Sequence, residues 1–199
     1  NRFWCTCAIP ELWKNPFRTP KLSQTHHLKY IIEIYLKFLS REQADYFPQC
    51  IRDKYLIHTS FLCFPYPSYL QRIDIVKINL ATALWLRWRL PNSLKNSGMG
   101  LLLIKELAKM LDKYTKSIEG FVCSVAHPVN FFQISIEGNN HRSGLFRLKK
   151  FICHGDYDKT QLLIDASKVS KKLKELEVSI IKTFDEGLAL KSSYGNIRI

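Results

Sequence analysis

No apolar run in the 199 residues approaches the 18 or so needed to cross a bilayer as a helix. The most apolar stretch, Leu101–Ile104, is closed at once by Lys105 and Glu106. There is no C-x-x-C pair. Cys5, Cys7, Cys50, Cys63, Cys123 and Cys153 are scattered without a regular framework, which argues against a disulfide-stapled secreted scaffold and for a reducing or organellar compartment. Carboxylates are in short supply, with 17 Asp+Glu against 30 Lys+Arg and a formal net charge of +13. A compact body with that excess repels itself unless a polyanion neutralises it, so RNA, DNA or an anionic surface are the partners the charge favours. By contrast apolar material is plentiful, 46% of residues with 13% aromatic, enough for a packed core and too much for general disorder.

Catalytic signatures are missing as well. His26, His27, His58, His127, His141 and His154 stand in no metal-ligand or triad spacing, and His154-Gly155-Asp156 reads as a solvent-facing pair in a polar turn. Gly98-Met99-Gly100 lacks the lysine and Ser/Thr that a phosphate loop places behind its glycines. Cys5 and Cys7 form a C-x-C that supplies two ligands where a closed zinc site wants four. The expectation is therefore no catalytic residue, no metal, no cofactor and no small-molecule substrate.

Along the chain, residues 1–27 carry Pro10, Pro16 and Pro20 among Phe3, Trp4, Trp13, Phe17, Lys14, Arg18 and Lys21. Prolines oppose a long helix, so an extended arm is expected, covering either a neighbour's surface or this protein's own core. From Leu28 the apolar steps Ile31, Ile32, Tyr35, Leu36 and Leu39 predict a helix. Residues 1–78 are read as an N-terminal extension, mainly helical and irregular, and no internal repeat is evident.

In residues 79–199 the pattern alternates with helical stretches. Ala83–Leu90 alternates strictly and predicts a strand, with Arg87 and Arg89 on the face opposite Leu84, Leu86 and Trp88. A helix follows from about Gly100 to Ile118, with a stripe of Ile104, Leu107, Ala108, Leu111 and Tyr114. Strands are expected at 121–125 with 130–136, at 145–152 and at 160–165, the last two close in sequence. A helix is expected from Ser167 or Ser170 to Phe184, and a last strand at Gly187–Lys191. The order β-α-β-β-α-β defines an α+β, ferredoxin-like split β-α-β sandwich whose second sheet face stays open.

Gly144-Leu145-Phe146-Arg147-Leu148-Lys149-Lys150-Phe151-Ile152, Gln161–Ser167, Val169–Glu177 with Phe184-Asp185-Glu186, and Leu188–Ser192 together resemble bacterial-type small-subunit ribosomal protein six in its mitochondrial form, over roughly residues 80–193. Two departures stand out. Lys150 occupies the place of an expected aromatic, with Phe151 one position on, and an insertion around His127–Arg142 divides the second strand. The resemblance implies a non-enzymatic constituent of a mitochondrial small ribosomal subunit in the matrix. Its partners would be small-subunit rRNA and small-subunit ribosomal protein eighteen, with no membrane. Arg147 is the contact the resemblance carries over. Arg87, Arg89, Lys149 and Lys150 join it from charge and strand alternation as phosphate neutralisers. A non-catalytic subunit of another organellar assembly, or a ferredoxin-like enzyme, are the alternatives.

Overall fold

The computed structural model describes residues 2–18, 26–53, 62–90, 98–124, 130–137, 144–154 and 160–179. The predicted strand at Gly187–Lys191 and the resemblance at 184–192 lie outside them. The described chain mixes helices with one four-stranded sheet. Four helices come first: α1 (Arg2–Trp13), α2 (Leu28–Leu36), α3 (Arg41–Ala44) and α4 (Gln49–Ile51). The rest runs β1 (Arg72–Asp74), α5 (Ile75–Arg89), α6 (Met99–Tyr114), β2 (Gly120–Ser124), α7 (Phe131–Glu137), β3 (Lys150–His154), α8 (Thr160–Val169) and β4 (Glu175–Ser179), with 3₁₀ turns at Tyr66–Tyr69 and Gly144–Arg147.

Each strand lies beside the next in sequence, and all three pairings are parallel. A ferredoxin-like sheet interleaves its strands and sets most neighbours antiparallel, so the expected order is not the one adopted. A sheet that never reverses direction needs a crossover between every two strands. Right-handed crossovers in such a sheet put every connecting helix on one face. Ile73, Phe121, Cys123, Phe151 and Cys153 accordingly join residues of α5, α6, α7 and α8 in one core.

The sheet is built from a repeated local pattern, apolar-x-x-apolar-x-apolar: Leu70/Ile73/Ile75, Ile118/Phe121/Cys123, Leu148/Phe151/Cys153 and Leu173/Leu176/Val178. Ile73 registers with Phe121, Phe121 with Phe151, and Phe151 with Leu176. One backbone device recurs with the pattern. The Gln71 carbonyl accepts the N–H groups of Glu119 (2.7 Å) and Gly120 (3.1 Å), the Glu119 carbonyl those of Lys149 (3.0 Å) and Lys150 (2.9 Å), and the Lys149 carbonyl those of Lys174 (2.8 Å) and Glu175 (2.9 Å). The same fork appears one step earlier, where the Lys14 carbonyl accepts Gln71 (2.9 Å) and Arg72 (3.1 Å). The segment after α1 therefore takes the place of a strand in front of β1. An internal repeat is present after all, and the segment from Trp13 to Phe17 covers this protein's own core, with Phe17 fully buried and Trp13 packed against it.

Several expected elements change type. Ala83–Leu90 is the end of α5, not a strand. Its buried positions are Ile75, Ile78, Ala81, Thr82, Trp85 and Leu86, a three- and four-residue rhythm that a window opening at Ala83 cannot show. Phe131–Glu137 and Thr160–Val169 are helices rather than strands, and Glu175–Ser179 is a strand where a helix was expected. Each is a short apolar run that helix and strand can both bury, and the chain's path decides between them. Pro10 sits inside α1 despite its missing donor, so the expected extended arm begins as a helix. Residue 78 falls within α5, and α2 packs along that helix, so the division after residue 78 is not a structural boundary.

Polar ties lock the helices together. The Ser40 hydroxyl caps α3 at the Gln43 N–H, and the Gln43 amide donates to both the backbone oxygen (3.0 Å) and the carboxylate (2.9 Å) of buried Glu106 on α6. Lys109 completes that carboxylate at 2.7 Å. Asn130 caps α7 at the Phe132 N–H and donates to buried Asp165 on α8 at 2.8 Å. A buried carboxylate left without such donors would cost about 1–3 kcal/mol or more.

Candidate interaction surface

Strand side chains alternate, so the residues between the core anchors face away from the helices. Register places them in rows. Arg72, Gly120, Lys150 and Glu175 form one row, Asp74, Val122, Ile152 and Glu177 the next, and Ser124 and His154 begin a third. Val122 and Ile152 stand apart from the main core cluster and make an apolar floor, nearly covered by what surrounds it. Charge sits at both ends of the rows. Arg72 and Asp74 lie on β1; Glu175 and Glu177 lie on β4, with Lys150 paired to Glu175 at 2.9 Å. Asp74 has a second task, accepting the Lys77 N–H at 3.1 Å to cap α5. Gly120 leaves a gap in the first row beside Arg72, whose stem lies 3.4 Å from where a Cβ would project.

The residues expected to bind RNA divide between two places. Arg147, Lys149 and Lys150 follow one another into β3, and of these Lys150 belongs to the outward rows. Lys149 is paired with Glu119 of the preceding repeat at 2.8 Å. Arg87 and Arg89 sit on α5 instead of a sheet face. Arg89 is half-buried and donates to both Glu33 oxygens of α2 at 3.0 Å, while its guanidinium lies 3.4 Å from the centre of the Trp88 ring. Lys29 approaches the same ring at 4.3 Å. Arg89 therefore joins two helices, and the expectation that it stands on a strand is corrected. Arg87 remains exposed on the helix, and Trp85, which a strand would have set on the same face as Arg87 and Arg89, is buried in the core.

Sequence reasoning missed Arg72, Asp74, Val122, Ile152 and Glu177. The signal that finds them is the position between the repeated apolar anchors. Cys5 and Cys7 are exposed on α1, two residues apart on a helix and so on different sides of it. Among the described residues no group of His, Cys, Asp and Glu is placed to hold a metal ion, and no helix is long and apolar enough to cross a membrane. No protein-family model, curated protein or solved structure matches the chain.

Proposed function

We propose that the chain is a non-catalytic binding protein, a short leucine-rich-type solenoid that holds another protein against its outward sheet face. The observation that carries this reading is the in-register ladder. Each repeat commits one set of alternate residues to the core and the other to a continuous face, the arrangement by which solenoids make extended binding surfaces. The chemistry of that face favours a polypeptide over a nucleic-acid backbone. Phosphates laid along it would meet Asp74, Glu175 and Glu177 as well as Arg72 and Lys150, whereas a polypeptide can match both signs around the Val122–Ile152 floor.

The test is co-purification of the full chain from its native extract with nuclease present. Lys150→Glu, and separately Arg72→Glu, should release the bound protein while leaving the melting temperature within a few degrees. Retention by both variants, or loss of every partner on nuclease treatment alone, sinks the reading.

The charge of +13 favours a second reading, an RNA-bound constituent of a mitochondrial-type small ribosomal subunit contacting rRNA and small-subunit ribosomal protein eighteen. Exposed Arg87 and Arg147 would then neutralise phosphate. Nuclease-sensitive cosedimentation with small subunits is the outcome that separates it from the first.

A further inference from the structure

We propose that the outer side of α5 is a second docking surface, a ridge that takes an amphipathic helix whose apolar stripe is flanked by carboxylates. The ridge lies in the helical layer, away from the outward sheet face, and the proposal does not rest on what that face binds.

α5 is apolar on every side. Lys77, Asn79, Thr82, Arg87 and Arg89 are the polar residues among its 15. A surface helix ordinarily shows one apolar stripe, and a helix apolar all round is one that is covered all round. The inner side is covered: Ile75, Ile78, Ala81, Trp85 and Leu86 join the core, and α2 and α6 pack beside them. On the outer side Val76, Leu80, Leu84 and Trp88 follow one another at four-residue steps. They form one continuous ridge about 18 Å long, at about 1.5 Å of rise per residue. Val76, Leu80 and Trp88 are 40%, 37% and 38% exposed, and Leu84 is half-buried. Exposed Ala83 adds no bulk beside Leu80 and Leu84, which leaves a groove for the ridge of a second helix. Tyr30 of α2 extends the ridge past its own helix, edge-on to Trp88 with ring centres 5.0 Å apart. Single exposed apolar residues are ordinary on a protein surface, whereas a continuous row of them marks a contact surface.

The charges around the ridge choose its occupant. Arg87 is exposed between Leu84 and Trp88, and the Lys29 ammonium lies 4.3 Å from the centre of the Trp88 ring. Glu33 and Asp74, the carboxylates that α2 and the start of α5 contribute, are engaged. Glu33 holds Arg89 through both oxygens, and Asp74 caps α5 and pairs with Lys77 at 3.8 Å. The rim is therefore cationic, and carboxylates beside an incoming apolar stripe complement it. A second copy of this chain would bring Arg87, Lys29 and a net charge of +13 against the same charges, which disfavours self-association through this face. Nucleic acid fits less well. Val76, Leu80 and Leu84 offer a base no ring to stack on, and the Trp88 ring is already met by the Arg89 guanidinium at 3.4 Å.

Fluorescence anisotropy on the full chain tests the ridge with two labelled probes. One is an amphipathic peptide of about 18 residues, long enough to hold a helix, with leucine along one stripe and glutamate beside it; the other carries lysine for every glutamate. The glutamate probe should bind at least about tenfold more tightly than the lysine probe, and Leu80→Gln should weaken it at least about tenfold. Arg87→Glu should narrow or reverse the preference between the probes. Should Leu80→Gln lower the melting temperature by more than a few degrees, Val76→Gln replaces it with the same expectation. No binding of the glutamate probe overturns the proposal, as does binding that the ridge substitution leaves unchanged or equal affinity for both probes. A dimer of the unaltered chain that Leu80→Gln dissolves in sedimentation also overturns it, as does loss of single-stranded RNA or anionic vesicles, in place of the peptide, from the Leu80→Gln chain. Retention of the glutamate probe by Arg72→Glu, a variant of the sheet face, keeps this surface distinct from the one proposed above.

Discussion

The two ends of the ladder are finished differently. At the front, the Lys14 carbonyl takes the first fork, and Trp13 and Phe17 close over Tyr35, with ring centres 5.5 Å and 6.0 Å apart. At the back, β4 keeps its anchors half-buried and one edge without a described partner strand. The same local pattern therefore yields, among the described residues, a well-covered start and a less covered end, and a repeat gains its stability from stacking on both sides. Cooperative opening should begin at β4 and stop at the aromatic centre, where Phe121, Phe131, Phe132 and Phe151 lie 4.9–6.0 Å apart.

Two equivalent anchors give the largest test of that contrast. Phe151→Ala removes a fully buried ring from the centre and should cost about 3–5 kcal/mol. Leu176→Ala, its register partner on β4, should cost less, about 1–2 kcal/mol, because that side chain is only partly buried against the core. Urea unfolding of both variants measures the difference. Equal losses would mean that the back of the ladder is as closed as its centre.

A smaller effect is expected where the second repeat starts. The Gly144 carbonyl accepts the Ile118 N–H at 3.0 Å, and a Cβ on Gly144 would lie 2.8 Å from the Thr115 carbonyl oxygen. That contact is with backbone and cannot swing aside. Gly144→Ala should therefore destabilise by about 1–3 kcal/mol. Thermal unfolding of Gly144→Ala beside Gly98→Ala separates this close approach from backbone conformation, since Gly98 has open space around it and φ of +71°. A Gly144→Ala protein that melts with the unaltered one would show that the segment joining α6 to β2 yields.

How much of this was legible in the sequence depends on the length of the pattern each element offers. The stripe Ile104, Leu107, Ala108, Leu111 spans several turns, and α6 forms where it predicts, ending at Tyr114 rather than Ile118 because Ile118 is an anchor of the next repeat. Phe121 and Cys123 alternate in a run bounded by Gly120, and β2 forms there. The helices α7 and α8 hide because seven to ten residues carry too few turns to outvote an alternation. The repeat itself hides because two of its third anchors are cysteines and its spacing shrinks along the chain. Only register aligns Cys123 with Cys153 and Cys153 with Val178. The site suffered in proportion. Lys150 was placed in a strand and stands in one, whereas Arg87 and Arg89 were assigned to a strand that is a helix.

The smallest expected effect belongs to the closed front end and shows as a pH dependence only in alkali. The Tyr35 hydroxyl is buried without a hydrogen-bond partner among the described residues. Burial alone pushes its ionisation far above the ordinary 10.0, because a phenolate there would lose its hydration with nothing in exchange. Below pH 10 the side chain is neutral whether the chain is folded or not, and it adds no pH dependence. Above pH 10 the unfolded chain releases this proton while the folded chain keeps it, so folded stability falls as pH rises, by about 1.4 kcal/mol at pH 11 from this group. Tyr35→Phe removes the proton and an unsatisfied hydroxyl together. At neutral pH the variant should be unchanged or up to about 1 kcal/mol more stable, and above pH 10 its stability should fall less steeply than that of the unaltered chain. Parallel slopes from pH 9 to pH 11 would place the Tyr35 hydroxyl in contact with water, and the front of the ladder would then be no better sealed than the back.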